Sequence, residues 1–171
     1  TELICGLNES CVDSPNFQRE SRYHGFSFGK FINPKVHTIW VDVPDGYERS
    51  ENNSYFNESE INAVEMVIEA LSRAHGFKDY MKYWENVQDD ETRVTESKIS
   101  IISFYAAQVK KIRERLNSVL VNNHLNLATD SVDRFQGKES GIVIVSTVRT
   151  NGLGFTKTPE RLNVALSRAR R

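Results

Sequence analysis

The sequence predicts an α/β domain with a largely parallel sheet, and three observations carry that expectation. Ile142-Val-Ile-Val-Ser-Thr-Val148 and the stretch Ile99 to Phe104 are short, β-branched runs, and the first is too uniformly apolar for a half-exposed strand. Segments with apolar residues at helical spacing lie between the strand-like runs, giving the order strand, helix, strand, helix, strand, strand, helix. A chain of 171 residues with 39% hydrophobic composition buries one core, which points to a single domain.

Residues Thr1 to Lys35 are the least readable part. Their aromatics Phe17, Tyr23, Phe26, Phe28 and Phe31 are expected to pack rather than to stack bases, because no basic residues alternate with them. Val36 to Val43 reads as a strand ended by Pro44-Asp-Gly46, and a polar loop follows. Asn57-x-x-Glu60 is a capping-box start, and Ala63, Val64, Val67, Ile68 and Leu71 keep helical period to His75-Gly76, so a core helix is expected at about 58 to 75. Capping alone accounts for both Asn57 and Glu60 at this level.

Between Phe77 and Lys98, Tyr80, Tyr83 and Trp84 share one helical face, and Gln88-Asp-Asp-Glu91 reads as a solvated acidic loop. After the strand at Ile99 to Phe104, a helix from about Ala106 to Val121 is expected to bury Val109, Ile112, Leu116, Val119 and Leu120, with Lys110, Lys111, Arg113 and Arg115 on its wet face. Leu125 to Val132 supplies a short strand that runs into Gln136-Gly137, where a turn would aim amides outward, as suits a phosphate or a ribose. The run Ile142 to Val148 is then expected as a central strand. Thr158-Pro159-Glu160 opens the last helix, with Leu162, Ala165, Leu166 and Ala169 as its buried stripe and Arg161 and Arg168 along one flank. Two arginines on the rim of a buried face can reach into a cleft.

The net charge of −1 excludes an all-basic nucleic-acid binder. Charge is nonetheless uneven along the chain. Asp42, Asp45, Glu48, Glu51, Glu58, Glu60 and Glu65 cluster early, and Arg134, Lys138, Arg149, Lys157, Arg161, Arg168, Arg170 and Arg171 cluster late, so a polyanion would be met by the C-terminal third. Cys5 and Cys11 do not make a zinc framework, and no metal site is expected. With no bilayer-crossing run and no signal-peptide pattern, the expectation is a soluble, intracellular protein without a membrane partner. The chain stops at Arg170-Arg171 without a C-cap or closing strand, which suggests a piece of a longer protein.

Three stretches together resemble a known family. Ser131-Val-Asp-Arg-Phe-Gln-Gly-Lys-Glu139 is similar to motif V, and Arg161-Leu-Asn-Val-Ala-Leu-Ser-Arg-Ala-Arg170 to motif VI, of superfamily-one RNA and DNA helicases of the nonsense-mediated decay and senataxin branch. Ile102-Ser-Phe-Tyr-Ala-Ala-Gln108 stands in the place of motif IV, with Phe104 where that branch carries proline. The resemblance implies the second of two RecA-like domains, a three-layer α/β fold with helices on both faces and no phosphate loop of its own, spanning 1–171. It also makes 77–98 an insertion: a solvent-facing embellishment or a protein partner's site.

The same resemblance implies roles. Arg168 matches the arginine finger that meets the γ-phosphate of ATP, and Arg161 supports it; without the family, Arg168 reads as a complement to a helix C-terminus. Glu139 matches the acid on the ribose hydroxyls, with Gln136 and Gly137 at the phosphate edge. Ser131 matches the hydroxyl that touches the backbone of single-stranded RNA or DNA. Asp133 is expected to hydrogen-bond internally, to Arg134 or a turn amide. Tyr105 and Gln108 lie near the cleft, as adenine or phosphate contacts or as packing beneath them. ATP with Mg²⁺ would be held mainly by an upstream RecA-like domain, because this chain has neither a Gly-x-x-x-x-Gly-Lys-Ser/Thr loop nor a Walker-B acid. The expected function is therefore part of an ATP-dependent helicase or translocase that does not hydrolyse ATP alone. A non-catalytic interaction module that kept the fold is the alternative.

Overall fold

The computed structural model describes residues 3–4, 25–88, 96–123, 127–135 and 138–169. Two apolar layers sandwich a parallel sheet of order β6-β5-β7, formed by β5 (Glu96–Ser103), β6 (Leu127–Ser131) and β7 (Glu139–Ser146). Ile101 of β5 is paired with Thr129 on one side and Ile144 on the other, and Ser103 with Ser131 and Ser146. Because side chains alternate along a strand, Ile99, Ile101, Leu127, Ile142 and Ile144 face one layer, while Ile102, Ala128, Val143 and Val145 face the other.

The first layer is covered by α1 (Glu58–Arg73) and α3 (Ala106–Asn123). Ile61, Val64, Ile68 and Leu71 of α1, and Val109, Ile112 and Leu116 of α3, are buried at helical spacing, as expected from the sequence. The side chains of Val119 and Leu120 lie outside the described residues. The second layer is covered by α4 (Pro159–Leu166) and by the connection from β6 to β7. That connection is only residues 132–138, shorter than the dozen or so usual between parallel strands. It contains a 3-10 turn, Asp133–Phe135, whose Phe135 is fully buried.

Several expectations are corrected. Among the described residues β5 is paired along both sides, whereas β7 is paired along β5 and on its other side only through the Ser140–Ala169 bridge, and Ile142 to Val145 are half-buried. Within Val36 to Val43 only Trp40–Val41 is strand (β2), paired antiparallel with β1 (Leu3–Ile4) and separate from the main sheet. The polar loop after Gly46 contains a hairpin of β3 (Arg49–Glu51) and β4 (Ser54–Phe56). Its two-residue turn has Asn52 and Asn53 at φ of +50° and +60°, the left-handed pair that a tight hairpin needs and that asparagine tolerates.

Helix α2 (Phe77–Gln88) occupies the start of the expected insertion, and it begins inside the core. Phe77 is buried, Tyr80 and Met81 pack against the first layer, and Phe26 meets the Phe77 and Tyr80 rings at 5.9 and 5.0 Å. So Phe26 is a packing residue, and Phe77 to Met81 is no solvent-facing embellishment. The side chains of Tyr83 and Trp84, residues 89–95, Phe17, Tyr23 and both cysteines lie outside the described residues. Among the described residues, no helix is long and apolar enough to cross a membrane.

Several of the early acids are paired through the fold, mostly with α3 and once with the late basic cluster. Glu51 pairs with Lys111 at 2.8 Å, Arg115 bridges Glu58 and Glu65, and Glu48 meets Arg149 at 2.7 Å. Arg113 donates through Nε to the Thr129 carbonyl at 3.0 Å. The basic face of α3 is thus tied to α1, β3 and β6 rather than simply hydrated. The hydrogen bond from Lys111 lowers the pKa of Glu51, and the same bond raises that of Lys111.

Candidate ATP-edge and strand-edge site

The motif-like residues gather at two ends of the sheet. Ser131 closes β6 opposite Ser103, at the C-terminal end of the central strand, whereas Glu139 opens β7 opposite Glu96. Seven residues of β5 separate those two levels, roughly 23 Å at ~3.3 Å per residue. The connection joins the two levels compactly: Phe135 is buried in the core, the Lys138 amide donates to its carbonyl at 3.2 Å, and the Lys138 ammonium reaches Asp130, the neighbour of Ser131, at 3.9 Å.

At the Glu139 edge lies Arg168. Helix α4 ends at Leu166, Ser167 caps it, and Ala169 forms a parallel bridge to Ser140, so Arg168 sits in the turn between helix and extended chain. This corrects the expectation of a helix through Ala169: Leu166 is 59% exposed, and only Ala165 of the expected stripe is fully buried. Thr158 stands at the N-cap with Pro159 behind it, but its side chain makes no capping bond. The Arg168 guanidinium is half-buried and donates to the carbonyls of Val164 at 3.1 Å and Lys138 at 3.4 Å, and to Ser167 Oγ at 3.0 Å. The Ser140 amide in turn donates to the Arg168 carbonyl at 3.0 Å. Arg168 is thus seated against the residue between Gly137 and Glu139. Gln136, Gly137 and the Glu139 side chain lie outside the described residues.

Arg161 does not touch Arg168 through any described bond; it pairs with Asp133 at 3.4 Å and lies 4.8 Å from the centre of the Phe155 ring. Asp133 thereby has its partner on α4 rather than in Arg134 or a turn amide, and the pair ties the crossover to the motif VI helix. At the opposite edge, half-buried Ser131 lines a shallow depression of about 330 Å³ together with Lys110, Arg113, Asp130 and Arg134. Glu114 also lines it, so three cations face two acids, with Lys110 paired to Glu114 at 3.9 Å and Arg113 to Asp130 at 3.6 Å.

Tyr105 and Gln108 are both buried, and Gln108 bonds Ser146, which is level with Ser131 rather than with the Glu139 and Arg168 edge. Gln108 is fully enclosed, accepting from the Asn57 amide at 2.9 Å and donating to Ser146 Oγ at 2.9 Å. Tyr105 accepts from the Phe155 amide at 3.2 Å and packs edge-on to Tyr55. A side chain at Gly154, which has φ +49°, would collide with the Tyr105 hydroxyl, so this approach requires glycine.

Glu48 and Glu60 carry tertiary contacts that sequence reasoning missed. Glu48 accepts from Arg149 Nε at 2.7 Å and from the amides of Thr150 and Asn151 at 2.9 and 3.3 Å, pinning the loop from β7 to α4. Glu60 accepts from Ser146, Thr147 and Val148 rather than reaching back to Asn57. Asn57 does cap α1, accepting from the Ser59 and Glu60 amides. Separations of 86 to 103 residues leave no local pattern to read.

Burial alone would push the Glu48 carboxyl up, but the amides of Thr150 and Asn151 and the Arg149 guanidinium outweigh it and hold it below the ordinary 4.5. A depressed value means that the grip is fully present above about pH 4.5 and is lost as pH falls through the lower folded value. The Thr150 and Asn151 amide resonances should therefore titrate together with a midpoint below 4.5, and Glu48→Gln should abolish that titration. A midpoint at or above 4.5 would contradict the grip.

Comparison with known proteins places this geometry. A family profile described as an AAA domain matches residues 8–171. The chain is 33% identical to senataxin of Homo sapiens over 133 residues, covering 75% of this chain and 4% of senataxin. It is 32% identical to DNA polymerase alpha-associated DNA helicase A of Saccharomyces cerevisiae over 146 residues, 80% of this chain and 18% of that protein. It is 30% identical to DNA replication ATP-dependent helicase/nuclease dna2 of Schizosaccharomyces pombe over 147 residues, 82% of this chain and 9% of that protein. The chain thus spans less than a fifth of each of these relatives. With an AAA-domain match over nearly its whole length and a parallel sheet covered on both faces, the chain belongs to the superfamily-one helicase-like domains of the senataxin and nonsense-mediated decay type, with a RecA-like α/β fold.

Proposed function

We propose that residues 1–171 are the second RecA-like domain of an ATP-driven helicase or translocase, closing over a nucleotide gripped by a preceding domain. The observation that carries this reading is the seat of Arg168 on the Lys138 carbonyl, within the motif V strip and at the opposite end of the sheet from Ser131. In this reading the Arg168 guanidinium leaves its carbonyl partners to meet charge building on the γ-phosphate. Its half-buried, singly charged fork and its weak 3.4 Å contact to Lys138 fit such a transfer. Arg161 supports it indirectly, by tying α4 to the crossover through Asp133. Glu139 takes the ribose hydroxyls, and Gln136 and Gly137 the phosphate edge. Tyr105 and Gln108 act from within the fold, holding the loop before α4 and the Ser146 end of β7, level with Ser131.

ATP with Mg²⁺ supplies the phosphoryl group and the free energy, and the metal is assigned to the preceding domain. Single-stranded RNA or DNA would lie along the Ser131 edge. Because residues 132–138 are anchored at Phe135 and reach both edges, a shift at one edge on closure is felt at the other. The direct test is ATP turnover by the full-length protein with and without single-stranded nucleic acid. Stimulation is expected, and none would overturn the reading. Ser131→Ala should weaken single-strand binding by roughly threefold to tenfold, alike across sequences, because a backbone contact carries no base information. Binding measured by fluorescence anisotropy on two unrelated sequences checks this, and unchanged affinity would remove Ser131 from the strand path.

A further inference from the structure

The end of β7 is bent at an unfavourable residue. Val148 has φ +73°, and the Arg149 amide donates to the Thr147 carbonyl at 2.9 Å, so residues 147–149 form a γ-turn with a left-handed centre. A β-branched residue is strained in that conformation and persists there only when its surroundings impose it. Val148 is also fully buried, in the apolar cluster that contains Phe135 of the crossover and Ala165 of α4.

The turn is bonded to Glu60. Both of its carboxylate oxygens accept from the Val148 amide, at 2.9 and 3.0 Å; one also accepts from Ser146 Oγ at 2.5 Å, and the other from Thr147 Oγ1 at 3.4 Å. Asn57 Nδ2 reaches the Val148 carbonyl at 3.4 Å, and Gln108 Nε2 holds Ser146 Oγ from beneath. Capping does not account for Glu60, because the Asn57 amide that a capping box would satisfy already donates to Gln108 Oε1 at 2.9 Å. A peptide N–H cannot reverse its polarity, so the Val148 amide calls for an acceptor, and a carboxylate serves it with both oxygens.

We propose that Glu60 is a positioning residue: by holding the strained turn at Val148 it seats the apolar cluster under the crossover and α4, and so sets where Arg168 lies against Lys138. Two routes lead from Glu60 to Arg168. One is the buried Val148 side chain, which shares its cluster with Ala165. The other is the main chain, which leaves Val148, is pinned by Glu48 at Arg149, Thr150 and Asn151, and enters α4 at Pro159. The consequence for turnover rests on the arginine-finger reading of Arg168; the seating itself does not.

Amide hydrogen exchange on the full-length protein carrying Glu60→Gln separates the two. The Ser140 amide, bonded to the Arg168 carbonyl, reports the seat of Arg168, and the Ile101 and Ile102 amides of β5 report the sheet. Exchange at Val148 to Asn151 and at Ser140 should rise roughly tenfold, with Ile101 and Ile102 unchanged. In the same protein, kcat for ATP, normalised to the folded fraction read from a thermal melt, should fall about tenfold at unchanged KM; a loss of folded protein alone would vanish on that normalisation. If the substitution loosens β5 as well, Val148→Ala decides: it removes the buried side chain, keeps the Glu60 bonds, and should still raise exchange at Ser140. Exchange that rises only at 148–151, or does not rise at all, overturns the proposal; a rise at Ser140 without a change in kcat keeps the seating and overturns the arginine-finger reading instead. A wild-type protein without ATP turnover overturns the proposed function instead, and the exchange results then decide the positioning role alone.

Discussion

Arg168→Ala in the full-length protein should lower kcat for ATP by about 10³-fold or more, the range found when an arginine finger is removed from phosphoryl transfer. The size follows from what the guanidinium would do: a delocalised cation with a planar fork meets oxygens whose charge grows only in the transition state, so its loss falls on kcat rather than on KM. Arg168→Lys should recover little, because an ammonium offers a point charge without the fork. The variant should still fold, with stability lowered by no more than the hydrogen bonds it gives up. Arg168 is half-buried, and its contacts to Val164, Lys138 and Ser167 are single hydrogen bonds, each contributing about 0.5–1.5 kcal/mol. Single-strand binding should be largely retained, because Ser131 stands at the other end of the sheet. Steady-state kinetics beside a thermal melt distinguish the possibilities: normal turnover would remove the finger assignment, and a collapsed melt would make Arg168 a structural residue.

The largest expected effect on stability is at Phe135. It is fully buried in the middle of a connection too short for a covering helix, so its ring does the work of one. Phe135→Ala should cost about 3–5 kcal/mol, lost transfer energy plus a cavity between Ile102, Val132 and Ala165 that a sheet on one side cannot close. Against a typical domain stability of about 5–15 kcal/mol that is a large fraction. Denaturant unfolding of the wild type and variant, compared at equal m-value, measures it. A loss under about 1 kcal/mol would mean that the crossover is not anchored there. Phe135→Leu, which keeps most of the volume, should cost less than half as much.

Periodicity made the main elements legible. Helices α1 and α3 stand where apolar residues recur at three and four, and β5 where Ile99 to Phe104 is continuously apolar or small, because burial on a fixed face is what that spacing encodes. Short or polar elements were not legible. The β3–β4 hairpin has the composition of a loop, and its Asn52-Asn53 turn becomes a signal only beside paired strands. A β-branched run states that a strand is covered but not how many neighbours it has, and β7 has β5 along one side and the Ser140–Ala169 bridge on the other. The last helix was read too long because alanine and leucine carry helical period whether or not the chain turns away, here to bridge Ala169 to Ser140.

By itself the sequence determined the α/β class, the helical faces of α1 and α3, the family, and the residues its motifs bring into consideration, Arg168 and Ser131 among them, since each is written in residues close together in the chain. Only the tertiary structure decided that Arg168 rests on Lys138 and that Ser131 stands at the far edge of the sheet. It alone showed Gln108 enclosed, and Glu48 and Glu60 gripping the chain beyond β7. The reason is physical: a hydrogen bond across 86 to 103 residues leaves no periodicity behind, and a carboxylate's partners are fixed by packing rather than by its neighbours in sequence.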